Sequence, residues 1–299
     1  MGLIGHEKII NFFEAASAKN RLASVFCFSG PAEVGKLTAA KNIIARRFGS
    51  TVEKLASHPD FYFLGRETDE KSGLVKKDIG VESIRALRPL LSGAAWSAPE
   101  RAVIIDEAER LTPEAQNTLL KMLEEPRTAS LIFLITENES ALLPTVLSRS
   151  QIFHFSLVPE AVLVKFLETT WQCPPSLASQ IARLSWGRPG RAARLAADPS
   201  ALAAALALEK EWEEIRREST AAQYARVEVM TGEKPSEFRL ADQLQARLDH
   251  WIVSAERELR QRPTSEQVAI IDSLERAKAE LRTNASPRLI MEVALLSTH

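Results

Sequence analysis

Three stretches hold residues whose types and spacing could do chemistry. The first is "SGPAEVGKLTAAKN", Ser29 to Asn42. Gly30, Gly35 and Lys36 fit the pattern G-x-x-x-x-G-K-[ST]. In such a loop, backbone N–H groups and a helix N-terminus face phosphates, and the lysine bridges them. The position after the lysine, which supplies a hydroxyl to a magnesium ion, holds Leu37 instead. Thr38 carries a hydroxyl, but one helical step turns a side chain by about 100°, away from the metal. The loop is expected to be poor at hydrolysis, and either keeps a phosphate seat or only holds the fold.

The second stretch is "VIIDEAE", an apolar run ending in Asp106 and Glu107. A strand of this kind delivers carboxylates to the carboxyl edge of a parallel sheet, where ligands bind. In a nucleotide enzyme the first acid helps to hold magnesium and the second orients the attacking water. The third stretch is "LITENESALLPTVLSRSQIFHF". Thr136 closes a strand where a polar side chain can sense a γ-phosphate, and Arg149 follows a short helix. Arg149 has two readings. One is a surface arginine in an ordinary salt bridge. The other is an arginine finger completing a neighbour's site in trans, a role worth ~10³–10⁵ in rate.

The elements that must position these groups can be read from periodicity. Ile9, Ile10, Phe12, Phe13 and Ala16 have helical spacing over 5–20. "VFCFSG" reads as a buried strand running into the loop, with a helix over 35–48. "FYFL" (61–64), "RAVII" within 101–111 and "SLIFLIT" (130–136) read as further strands. "IGVESIRALRPLLSGAA" (79–95) reads as one helix closing near Gly93. A helix over 112–126 has Thr112 as N-cap, Pro113 in its first turn and Pro126 at its end. "LLPTVLSRSQIFHF" gives a short helix and a last strand. Short apolar strands alternating with helices predict a parallel α/β sheet covered on both faces.

After about residue 156 only helical patterns remain, interrupted at Pro174, Pro175 and Gly187–Gly190 and again within 231–237, 262–267 and 283–288. Three parts are expected: an α/β domain at 1–156, a small helical lid at 157–203 and a helical C-terminal domain at 204–299.

A formal net charge of −1 argues against a basic nucleic-acid coat, though not against local phosphate-facing patches. The two cysteines, Cys27 and Cys173, rule out a four-cysteine zinc site, and Cys27 is expected to be a buried thiol. His58 and His154 have no second ligand at metal spacing, so no metal site is expected. The five tryptophans are scattered, as suits core and interface anchors better than a base-stacking platform. No signal peptide and no membrane-length apolar run is found, so a cytoplasmic protein is expected.

With these residues assembled, the chain resembles the AAA+ clamp-loader family, and within it the delta prime branch of bacterial DNA polymerase III. The resemblance rests on "SGPAEVGK", "HPDFYFL", "DEAERLTPEAQNTLLKMLEEP", "LLPTVLSRS" and the closing "NASPRLIMEVALL", and spans the chain nearly end to end. It implies an AAA+ domain, a lid and a helical collar that assembles subunits. It also implies gamma/tau and delta partners, a sliding (beta) clamp and primed DNA reached through the complex. The subunit's own ATP and Mg²⁺ site would be weak or silent, and Arg149 would serve a neighbouring gamma site. The family's Ser-Arg-Cys motif reads Ser148-Arg149-Ser150 here, keeping the arginine. The family's zinc module has no cysteines at 50–78, so no zinc is expected. For the second sensor arginine, "GRPGRAA" offers Arg188 and Arg191, with Arg191 the candidate. Any DNA contact would be to the phosphate backbone. Two other functions compete: a gamma-type loader ATPase that tolerates Leu37, and a Holliday-junction-type motor, which would need a complete phosphate loop.

Overall fold

The structure, a computed structural model, describes residues 4–18, 24–68, 76–124, 130–232, 237–281 and 285–296. The chain divides into two units, Met1–Arg194 and Leu195–His299.

The first unit begins with α1 (Glu7–Ala18), β1 (Val25–Ser29), α2 (Lys36–Arg47), α3 (Val52–Leu55) and β2 (Phe61–Leu64). It continues with α4 (Val81–Arg85), α5 (Leu87–Ser92), β3 (Arg101–Ile105), α6 (Pro113–Glu124) and β4 (Ser130–Thr136). Then come α7 (Pro144–Leu147), β5 (Gln151–His154), α8 (Glu160–Thr170), α9 (Pro175–Leu184) and α10 (Pro189–Ala197). The strands form one parallel sheet in the order β2-β3-β4-β1-β5. Strands buried along their whole length, β1 and β3, take inner positions with β4, and the shorter, partly exposed β2 and β5 take the edges.

Alternation along β1 sorts the two cores. Phe26 and Phe28 face α1 and α2 with Phe13, Ile44 and Phe133, while Val25 and Cys27 face Ile84, Leu119 and Val146 on the other side. The ring centroids of Phe13 and Phe26 lie 4.8 Å apart and those of Phe28 and Phe133 5.1 Å apart. Burial pushes the Cys27 thiol up to about 12, which keeps it protonated and inert.

One expected helix is two. The 79–95 pattern splits into α4 and α5 at Ala86. Pro89 is the reason: it has no N–H to give the carbonyl of Arg85, and its ring crowds that carbonyl. Thr112 caps α6 as expected, accepting from the Ala115 N–H at 3.2 Å. Pro126 lies outside the described residues.

The second unit contains α11 (Pro199–Ile215), α12 (Thr220–Gly232), α13 (Glu237–Gln261), α14 (Ser265–Glu280) and α15 (Pro287–Leu296). Its core is centred on Trp212 and Trp251, with stacked rings 6.0 Å apart. Buried His250 places its Nε2 2.9 Å from Glu209 Oε2. Trp96, in contrast, is 83% exposed. No described helix is long and apolar enough to cross a membrane, and the described residues contain no cluster of metal-ligating side chains.

The entry to β3, which delivers the acidic pair, is tied down by Asp60. Its buried carboxylate accepts the N–H groups of Trp96 (2.7 Å), Ser97 (2.9 Å) and Ala98 (3.0 Å). Its own carbonyl accepts the Ala102 N–H at 2.9 Å, next to the Phe61–Ala102 pair of the ladder. Burial opposes the charge, but these N–H groups outweigh it and hold the carboxyl at about 2, below the ordinary 3.8. The stability from this pairing is therefore present above pH 3.8 and is lost as pH falls from there toward 2. Asp60→Ala is expected to lower the unfolding free energy by about 3 kcal/mol at pH 7. In urea titrations the gap to the wild type should narrow below pH 4; a gap independent of pH would remove the carboxylate from this role.

Candidate nucleotide site

The phosphate loop springs from β1 at the carboxyl edge of the sheet. Gly30 has φ of 146°, and a Cβ there would lie 2.1 Å from the Phe155 carbonyl oxygen, so no other residue fits. Gly30 N–H donates to the Thr136 carbonyl at 3.2 Å, tying the loop to the end of β4. Gly35, at φ of 103°, turns the chain into α2, where Lys36 is the first residue. A pocket of about 420 Å³ opens between this loop, the ends of β3 and β4, and the start of α10. Lys36, Asp106, Glu107 and Thr136, which come from three separate stretches of sequence, line it together.

How these groups are engaged is a separate matter. Buried Lys36 turns its ammonium back on its own loop, donating to the carbonyls of Gly30 and Pro31, the latter at 2.6 Å. Burial lowers its pKa, and Arg188 adds to that, against the pull of Glu137, Glu109 and Asp106. Leu37 and Thr38 both line the pocket, on the first turn of α2. Asp106 is raised by burial and by the neighbouring acids Glu107 and Glu109, against the Glu107 N–H and Lys36.

Glu107 leaves β3 in a left-handed conformation, φ 51°. Its carboxylate is taken by Arg66, two residues beyond β2, in a two-pronged pair: Nε and Nη2 each donate at 2.7 Å. Thr136 is buried at the end of β4, where its hydroxyl oxygen accepts the Asn138 N–H at 3.1 Å. Among the acids that line the pocket, burial bears on Asp106 in particular. Its charge is disfavoured, and the residue after Lys36, Leu37, brings no side-chain oxygen to the same pocket.

Arg191 is not at the pocket. Its guanidinium stacks 3.6 Å above the Trp186 ring, and its Nε donates to the Leu184 carbonyl at 2.9 Å. Trp186, in a left-handed turn, draws the arginine to it; Arg188 is the residue whose charge reaches Lys36. Arg149 also stands apart from the pocket. Its side chain is 40% exposed, 2.8 Å from Glu124 at the end of α6, and its Nη1 donates to the Thr145 carbonyl.

Several residues escaped the sequence reading. Arg66 and Glu124 are ordinary charges until the fold brings them to Glu107 and Arg149. Gln116 is buried, donates to the carbonyls of Leu111 and Ala141, and accepts the Leu143 N–H at 2.6 Å. It thereby joins α6 to the segment leading to Arg149. The one legible signal was for Arg66: a charged residue just past a strand lies at the ligand edge of the sheet.

The chain is similar to the DNA polymerase III subunit delta' of Escherichia coli K12, with 34% identity over 149 residues, 49% of this chain and 42% of the relative. It is 30% identical over 182 residues to subunit delta' of Bacillus subtilis, 56% of this chain and 52% of that one. The chain thus spans about half the length of these relatives. Among solved structures, a DNA polymerase III gamma subunit-related protein of Thermotoga maritima matches 96% of this chain and 98% of its own, with TM-score 0.50 and 18% identity. That likeness is one of fold: a parallel α/β sheet followed by helices. The family model described as DNA polymerase III, delta subunit, matches residues 5–159, just over half of the chain and the part holding the loop, the acidic pair and Arg149; the chain belongs to that family.

Proposed function

We propose that the chain is a delta-prime-type clamp-loader subunit that contributes an arginine to a neighbour's ATP site and has an impaired site of its own. The observation that carries this is the Arg66–Glu107 pair. A carboxylate held in a two-pronged ion pair is not free to orient a water, and the same site lacks the metal-binding hydroxyl at Leu37. Arg149 supports the other half: it lies outside its own pocket, partly exposed, on one surface ion pair whose release costs about 1 kcal/mol or less. In this reading residues 157–203 are the lid and 204–299 the collar. The partners are gamma/tau and delta, the beta clamp and primed DNA in the cytoplasm.

A second reading, a gamma-type ATPase, is favoured by Gly30, Gly35 and Lys36 and by a pocket of about 420 Å³ beside them. Turnover separates the two. The isolated chain should hydrolyse ATP no faster than background, and Leu37→Thr combined with Arg66→Ala should raise Mg²⁺-dependent hydrolysis at least tenfold by restoring a hydroxyl and freeing Glu107. Brisk hydrolysis by the wild type sinks the proposal.

Arg149→Ala should leave assembly intact by size exclusion, yet cut the DNA-stimulated ATPase of a loader reconstituted with gamma/tau and delta by ~10³. Unchanged turnover would remove the finger role.

A further inference from the structure

The phosphate loop is gripped by a group that the catalytic motifs do not include. Between its two glycines the loop holds Glu33 in a left-handed conformation, φ 58°, which only glycine adopts without cost. Both halves of this residue are engaged by α10. Its carbonyl accepts the Gly190 N–H at 2.9 Å. A Cβ on Gly190 would lie 3.1 Å from the Glu33 Cβ and 3.1 Å from its carbonyl oxygen, so the helix start rests directly on the loop. One turn further along α10, Arg194 Nη2 lies 3.0 Å and 3.2 Å from the two carboxylate oxygens. A four-residue step puts Gly190 and Arg194 on one helix face, so the two contacts act together.

The charge balance gives this grip a consequence. Glu33, Asp106, Glu109 and Glu137 all line the pocket, while Lys36 donates to the loop's own carbonyls. Phosphates bind such loops through the partial positive charge of backbone N–H groups and the helix N-terminus. A carboxylate fixed within the loop works against that attraction at close range.

We propose that Glu33 is the loop's internal anion: it occupies Arg194 of α10, repels polyphosphate, and keeps α10 seated on the loop without a ligand. The inference rests on the reading that this chain's own site is not hydrolytic, and assigns the exclusion of nucleotide to Glu33 rather than to Leu37 alone.

The test is calorimetric titration of the full chain with ADP and, separately, with inorganic pyrophosphate. Glu33→Gln keeps the size and removes the charge; it should bind both at least tenfold more tightly than the wild type. A gain with pyrophosphate locates the effect at the phosphate seat rather than at the base. Arg194→Ala, which leaves the charge of Glu33 in place, should show no gain. Equal affinity of Glu33→Gln and the wild type, including no binding by either, overturns the proposal; so does an equal gain from Arg194→Ala. Glu33→Ala repeats the test should Glu33→Gln lower the melting temperature by more than a few degrees. Failure here is distinct from failure of the functional reading, which falls on wild-type hydrolysis and on Arg149→Ala.

Discussion

The close approach of the Phe155 carbonyl to the α-carbon of Gly30 is the constraint on which the site depends. A side chain at Gly30 would push β1 and the segment after β5 apart, and the loop would lose its base. With only hydrogen there, β1 stays paired to β4 and β5 along its length, and the loop leaves the sheet beside the ends of β3 and β4. Asp106, Glu107 and Thr136 come to the same edge for that reason, since parallel strands deliver their carboxyl ends to one side.

Charged groups that arrive there are largely committed to partners in the chain itself. Lys36 holds its own loop, Glu107 is paired with Arg66 and Glu33 with Arg194, and away from that edge Arg149 is paired with Glu124. These commitments differ in strength. Lys36 is buried and gives its hydrogen bonds to backbone carbonyls, so its release would leave those carbonyls without their donor. The Arg149 pair is open to water and screened by it, so it yields readily to a stronger anion. The gradient of exposure runs from a lysine bound into the fold to an arginine available for exchange.

Much of the fold was legible before any coordinates. Largely apolar runs such as "VFCFS" and "SLIFLIT" announced strands, and Thr112 with Pro113 announced the start of α6. The break between α4 and α5 was visible in Pro89 but outweighed by the helical spacing around it. At the site, Gly30, Gly35 and Lys36 were picked out by spacing because a phosphate loop is built from consecutive residues, and Asp106 and Glu107 by the apolar run before them. Where Arg191 lies was not legible, because the position of a helical side chain is set by packing, and here it stacks on Trp186.

The sequence by itself determined which chemical groups the chain owns and which it lacks: a loop with two glycines and a lysine, an acidic pair after a strand, no hydroxyl at Leu37, and an arginine between two serines. These are local facts, carried by neighbours along the chain. Only the tertiary structure decided what each group is free to do. Arg66 meets Glu107 across 41 positions and Arg194 meets Glu33 across 161, separations over which sequence pattern holds no distance information. Charge pairing depends on distances of a few ångströms, and those are set when the sheet closes and the helices pack on it.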